Sequence, residues 1–325
     1  MRTCLWWMIA TTMAVAVSSP SFGADRGGYP SRPIHIIISY PAGTATDTLA
    51  RVVGARLEAA LGQPVVIDIK TGGAGNVGLA AAARATPDGY TLTIGGAAMC
   101  INANVYGDRA VDPVRDFAPV AKLATTPVII VSSPATHIDT ISDLVARARR
   151  EPGKLAYSTP GVGTPTHIAA ELLALQADIS LLHVPYAGSG QLMTDVLSGE
   201  VPLSFALPGA VQQFLAGRQL QAIAVTSTRR IAALPDVPTV AEAGYPGFEV
   251  TSWHSILAPA GTPREIVARL NQELLRIVQM PEVRERLAAI GMEPAGSTPE
   301  QLGAEIRAEV ARWGPVLKRA GIRPE

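Results

Sequence analysis

The sequence predicts an α/β protein of two lobes, and three observations carry that prediction. Apolar, β-rich runs of four to six residues alternate with helical patterns from Ile34 onward, the arrangement of strands covered by helices. The 325 residues are 48% hydrophobic and 17% charged, which allows a large core and, at this length, two domains. The alternation also changes partner part-way: a first series stops near Ala124, a second runs to about Thr226, and the chain then returns to the first.

Element by element, the first series reads as a strand at 34–39 and a helix at 48–61, a strand at 65–69 and a helix at 77–85, then a strand at 91–94. The second series opens with a strand at 128–131 and a helix at 141–149. Next come strands near 155–158 and 181–184, with helices at 166–176 and 191–197, and strands at 201–206 and 220–225 close it. Strands separated by helices in this way are expected to run parallel. The last third is mostly helical. Thr262, Pro263 and Glu265 predict a capping residue, an N1 proline and an N3 acid before one helix, and Thr298, Pro299 and Gln301 repeat the device before another. The expected organisation is 1–23 leader, 24–124 first lobe, 125–226 second lobe, and 227–325 return to the first lobe with packing helices. Two crossings, near 124–127 and 226–228, join the lobes.

The leader is read from its own chemistry. Arg2 is followed by an apolar run from Leu5 to Val17, too short to span a bilayer, and Ser21 and Gly23 are small residues suited to cleavage before Ala24. The sequence therefore predicts export with removal of the leader. Cys4 is lost with it, and Cys100 alone cannot form an internal disulfide, so the mature protein depends on its core. Lys plus Arg and Asp plus Glu number 27 each, without the basic excess of a nucleic-acid binder.

Two loops where a strand hands over to a helix carry the functional reading. In Tyr40-Pro41-Ala42-Gly43-Thr44-Ala45-Thr46-Asp47, small residues turn the chain and Thr46 or Asp47 is placed to cap the next helix; Tyr157-Ser158-Thr159-Pro160-Gly161-Val162-Gly163-Thr164-Pro165-Thr166-His167 repeats the arrangement. The start of a helix offers unpaired N–H groups and about half a positive charge, so it attracts anions without Lys or Arg. On pattern alone, two anion cradles and two tight capped turns are equally good accounts of these loops.

Other constellations are weaker. Gly73-Ala74-Gly75-Asn76-Val77-Gly78 fits G-x-G-x-x-G, which makes an exported α/β enzyme binding a nucleotide-like ligand at 72–78 the alternative; the strand at 91–94 ends without the acidic residue that would hold a ribose. These glycines are then a second turn on the cleft side. His167 and Glu171 have helical metal-ligand spacing but make only two ligands. His183 reads as a satisfied histidine at a strand end, and Cys100 as a buried thiol. No G-x-S-x-G nucleophile elbow is present. Neither a catalytic group, a metal nor a cofactor is expected.

Longer stretches resemble a known family. Tyr29-Pro30-Ser31-Arg32-Pro33-Ile34, Pro41-Ala42-Gly43 with Asp47, Leu61-Gly62-Gln63-Pro64-Val65-Val66, Gly72-Gly73-Ala74-Gly75-Asn76 and Pro87-Asp88-Gly89-Tyr90 are similar to the opening of the Bug or TctC receptors. His183-Val184-Pro185-Tyr186, Leu234-Pro235-Asp236-Val237-Pro238-Thr239 and Ala258-Pro259-Ala260-Gly261-Thr262-Pro263 continue it in order, to about Ile322. The resemblance implies a periplasmic solute-binding receptor of the type II, Venus-flytrap fold. It would be a monomer, binding a small carboxylate or related organic solute, and serving the membrane subunits of a tripartite tricarboxylate transporter or a sensor kinase. It places ligand contacts at Ala42, Gly43 and Asp47, and at Ser158, Thr159, Gly161, Gly163, Thr164 and His167. Thr44 departs from the family's glycine and brings a hydroxyl into the first loop. Ala206 stands after Phe205 where many relatives have Asp, which disfavours a ligand ammonium there.

Overall fold

The computed structural model describes residues 28–186 and 189–319. The leader and its cleavage site therefore lie outside the described residues. The chain opens with β1 (Ile34–Ile38), α1 (Ala45–Leu61), β2 (Val65–Ile69), α2 (Asn76–Ala83), β3 (Thr91–Gly96), α3 (Ala97–Tyr106) and the long β4 (Phe117–Pro127). A second run follows: β5 (Ile129–Ser132), α4 (Ile141–Arg150), β6 (Ala156–Thr159), α5 (Pro165–Ala177), β7 (Leu182–Pro185), α6 (Ser189–Ser198), β8 (Leu203–Ala206), α7 (Pro208–Ala216) and β9 (Gln221–Val225). The chain ends with β10 (Thr251–Pro259), α8 (Arg264–Gln279), α9 (Pro281–Ala289), β11 (Glu293–Pro294) and α10 (Pro299–Arg319).

These strands form two sheets, ordered β11-β4-β10-β3-β1-β2 and β7-β6-β8-β5-β9. The two sheets and their helices make the two lobes. β1 is isoleucine at every position but His35 because both its faces are covered. Ile34, Ile36 and Ile38 pack with Leu49, Val53 and Leu57 of α1, whereas Ile37 joins Leu79 and Ala82 of α2 on the other face. All four isoleucines are buried.

The expectation of parallel strands needs correction. β1 pairs parallel with β2 and β3, and β6 with β7 and β8, but β10 is antiparallel to β3 and β4, and β5 is antiparallel to β8 and β9. The antiparallel strands are the ones that carry the chain between sheets. β4 leaves the first sheet at Pro127 and β5 enters the second at Ile129; β9 leaves the second at Val225, and the chain rejoins the first as β10. β4 and β9, which leave a sheet, run in the same sense as its parallel strands, and β5 and β10, which enter from the other sheet, run against them.

Thr226 ties the two crossings together. Its backbone N–H donates to Val128 O (3.0 Å), its hydroxyl accepts from Val128 N (2.9 Å) and donates to Val250 O (2.6 Å), and Val250 N returns to Thr226 O (3.0 Å). The side chain is fully buried, so each bond is shielded from water. α10 packs along α3 and β4 and also touches α5 of the other lobe.

Candidate functional site

Both loops end in the same device. Thr44 caps α1, accepting from Asp47 N (3.3 Å) and donating its own hydroxyl to Pro41 O (2.8 Å). Thr164 caps α5, accepting from His167 N (3.3 Å) and lying 2.8 Å from Gly161 O. The caps are thus Thr44 and Thr164; the expectation of Thr46 or Asp47 as first-loop cap is corrected, because the helix begins one residue after Thr44. The side chain three residues after each cap then reaches back. Asp47 Oδ2 accepts from Gly43 N (2.9 Å), and His167 Nδ1 accepts from Gly163 N (3.1 Å). Both glycines have positive φ, +80° and +74°, which lets the loop fold back over the helix end. The shared pattern is Gly-Thr-x-Thr followed by an acceptor, Asp in one lobe and His in the other.

The device leaves particular donors over. Asp47, Thr48, His167 and Ile168 send their N–H groups to the capping threonines. The first-turn amides of Ala45 and Thr46 in α1, and of Thr166 in α5, have no place in the helical ladder. Pro165 has no amide to contribute. Neither loop contains Lys or Arg.

Electrostatics explain how an acid sits in an anion-seeking loop. The Gly43 amide, followed by the Arg51 guanidinium whose Nε lies 2.9 Å from Oδ1, holds the Asp47 carboxyl below its usual range. Its charge is answered locally. Arg51 was not singled out from the sequence, although its spacing of four from Asp47 on a helix was a usable signal.

In the second lobe the acceptor is neutral. Burial, with a smaller contribution from neighbouring His183, pushes the His167 imidazole down to about 3. Its ring stacks on His183 at 4.0 Å between centroids and 11° between planes. His183 Nε2 lies 2.7 Å from Thr159 Oγ1, and its own protonation is disfavoured by burial. Nδ1 accepts from Gly163, so the neutral ring carries its proton on Nε2, which faces Glu171 Oε1 at 3.8 Å. Glu171 in turn accepts from Tyr157 Oη at 2.6 Å. The His167 and Glu171 pair is thus part of a supporting network, and among the described residues no group of three or more potential ligands could hold a metal ion.

The remaining expected residues fall in different places. Ser158 and Thr159 are fully buried, with hydroxyls directed at Leu203 O (3.4 Å) and Gly161 O (3.2 Å). Ala42 is exposed beside the turn. Ala206, at the end of β8, is buried in the apolar cluster with Ile129 and Val131. Cys100 is buried in α3, and burial pushes its thiol well above the ordinary range.

The glycine-rich turn borders a separate feature. Gly72, Gly73 and Gly75 have positive φ, as does Ala74 at +53°, whose carbonyl accepts from Asn102 Nδ2 (2.8 Å). Ala74 and Gly75 line a cavity of about 30 Å³ together with Ser39, Gly96, Trp253 and His254. His254 Nε2 lies 3.1 Å from Thr46 Oγ1, which joins this cavity to the first turn of α1. No sequence signal links residues 46 and 254, since only the sheet order brings β10 beside β3. A larger groove, about 940 Å³, lies between α7 and α9 and contains no residue of either loop.

Comparison with known proteins decides the family. The description "Tripartite tricarboxylate transporter family receptor" matches residues 49–322. The chain belongs to this receptor family. It is 32% identical to Protein BugT of Bordetella pertussis over 323 residues, covering 99% of this chain and 98% of BugT. Among solved structures, an R. palustris protein with adipate is similar at 34% identity and a TM-score of 0.78, covering 91% of this chain and all of the other. MatC from Rhodopseudomonas palustris with bound malate is similar at 29% identity and 0.73, covering 89% of this chain and all of MatC. The two-lobed receptor fold follows, and the family is one of solute-binding receptors. No helix among the described residues is long and apolar enough to cross a membrane.

Proposed function

We propose that the chain is a periplasmic receptor that captures a small carboxylate between its lobes, residues 24–124 with 227–325 forming one and 125–226 the other. The observation that carries this reading is the repeated capping device, which uses up the inner amides of α1 and α5 and leaves their outermost ones for an anion. Hydrogen bonds to a charged group contribute roughly 1.5 to 3 kcal/mol each, so several such donors reach the about 8 kcal/mol of a micromolar complex. The helix ends add their positive potential. Ala42, Gly43, Gly161 and Gly163 form the walls of this cradle, Thr44 and Thr164 set its geometry, and Asp47 and His167 hold its loops. The hydroxyls of Ser158 and Thr159 support it from below.

Adipate and malate, the guests named for the two R. palustris proteins, support a carboxylate ligand. Export through a cleaved leader brings the receptor to the periplasm, where it acts as a monomer and hands its ligand to the membrane subunits of a tripartite transporter or reports to a sensor. Isothermal calorimetry against a panel of mono-, di- and tricarboxylates and their amides tests the reading. A carboxylate should bind with micromolar affinity and its amide should not; equal affinity for both would remove the anion cradle.

A further inference from the structure

The groove of about 940 Å³ is a space apart from both capped loops. It is lined by α7 and Ile129 on one side, by α9 and the turn into β11 on the other, and by the segment 229–235. Its lining joins two apolar clusters. Ile129, Leu215, Ile231 and Leu234 belong to the cluster around β5, β8 and β9, and Met292 to the cluster around β1 and α1. The groove is thus an open seam between two cores, and its volume lies at the upper end of the about 300 to 1,000 Å³ of sites for small organic molecules.

The lining chemistry narrows the guest. Among the described residues that line it, none is aromatic, and Gln212 is the one neutral polar side chain. A sugar or a peptide backbone would find few side-chain partners along such a wall, whereas a hydrocarbon chain needs none. The charges lie at Arg229, Arg230 and Arg284, against Glu285 and Glu293. Arg230 is engaged by Glu242, its Nε lying 3.0 Å from Oε2. Arg229 is not: its side chain is 82% exposed and comes only to 3.9 Å from Glu293. Arg284 donates to the neutral Gln279 Oε1 at 3.0 Å and has no ion pair among the described residues. Two under-used guanidiniums therefore stand against one further carboxylate, Glu285, and the balance favours an anionic head.

We propose that this groove is a second ligand site, which takes a medium-chain fatty acid with its chain in the aliphatic seam and its carboxylate on Arg229 and Arg284. A guanidinium offers a carboxylate paired, charge-assisted hydrogen bonds, which fixes the head. Each methylene withdrawn from water should raise affinity about fourfold. The site owes nothing to the reading of the capped loops, since it shares no residue with them.

Calorimetry on the mature chain with the straight-chain acids from hexanoate to dodecanoate, below micelle formation, tests it. One molecule should bind per chain, with affinity climbing about fourfold per methylene until the groove is filled. Decanol and decylamine carry the same chain with a neutral and a cationic head, and each should bind at least about tenfold more weakly than decanoate. Ala288→Trp sets a ring into the groove from an exposed position on α9 and should abolish decanoate binding. If thermal melting shows that variant to be unfolded, Ala216→Trp on the opposite wall takes its place. Arg229→Gln combined with Arg284→Gln should lower decanoate affinity at least about tenfold and leave decanol unaffected. Absence of decanoate binding, or equal affinity for decylamine, would overturn the proposal. So would a decanoate affinity unchanged in the folded variants, which would place the acid elsewhere on the molecule.

Discussion

At the scale of single residues, Asp47 and His167 perform one task with opposite electrostatics. Each accepts the amide of a glycine four positions earlier, one as an anion balanced by Arg51, the other as a neutral ring kept so by burial. The acceptor role, and not charge, is what the two positions share. Asp47→Asn, which keeps an acceptor, should retain ligand affinity within a few-fold, whereas Asp47→Ala should lose about tenfold, the worth of one hydrogen bond. Equal losses in the two variants, measured by calorimetry, would assign the effect to charge instead. The buried histidines predict a pH dependence of stability. His167 is pushed down to about 3 and His254 to about 4, both chiefly by burial, and His183 in the same direction. Unfolded histidine titrates near 6.5. Their folded values are lower, so the unfolded state takes up protons first, and the stability present above about 6.5 is lost as pH falls toward 4. Each group contributes a slope of up to about 1.4 kcal/mol per pH unit. Urea titrations between neutral pH and pH 4.5 should show this decline, and His254→Gln should flatten it; a parallel slope in the variant would exclude His254 as a source.

Elements were legible where local chemistry decided them. The isoleucine-rich run of β1 and the box at Thr298, where Thr298 N meets Gln301 Oε1 at 2.9 Å and Gln301 N meets Thr298 Oγ1 at 3.2 Å, announce themselves over a few residues, whereas α1 and α5, expected from 48 and 166, start earlier, directly after Thr44 and Thr164. The similar stretch at Thr262 misled: α8 starts after Pro263 without a side-chain cap, and Thr262 instead bonds to Pro259 O. α3 was not legible, since it grows straight out of β3 at Gly96 with no polar cap to mark the boundary. β10 was hidden for another reason. Its run from Thr251 to Pro259 is a strand because β3 and β4 flank it, and those partners are far away in sequence. The same gap concealed the contact between His254 and Thr46, while the caps of the two loops are local. Thr44 and Thr164 are expected ligand contacts whose hydroxyls are also engaged within their own turns, and we propose that their contribution is geometric. Thr164→Val should therefore cost about 1 kcal/mol of folding stability through the lost cap, together with ligand affinity. Thr164→Ser should restore both. A valine variant of unchanged stability but weakened binding would return Thr164 to the role of direct ligand donor.

At the scale of the whole molecule, the sheet orders place the crossings between two unlike spaces. In the first sheet β4 and β10 separate β11 from β1; in the second, β5 and β9 lie beyond β8 from β6. The two capped loops follow β1 and β6, whereas the groove of about 940 Å³, lined by Pro127, Ile129, α7, α9 and β11, adjoins the first crossing and contains neither loop. Rotation about Thr226 and its partners that brings the loops together must then widen that groove, as in any hinge between rigid bodies. Gly291 gives a handle on this motion. A Cβ there would stand 2.6 Å from Pro208 Cβ and 3.0 Å from Gly209 N, so the turn before β11 rests directly on the start of α7 in the other lobe. Valine at residue 291 would press these surfaces apart on the groove side and bias the lobes toward closure over the loops. It also strains a backbone with φ of +74°, which should lower stability by about 1 kcal/mol or more. The expected result is a ligand-free Gly291→Val protein whose radius of gyration by X-ray scattering approaches that of the liganded wild type. Its apparent affinity should rise by the factor through which the closed fraction has grown. A wild type whose scattering does not change with saturating ligand would remove the clamshell motion altogether. A variant that scatters as the open protein would keep the motion and show that the contact at Gly291 does not govern it.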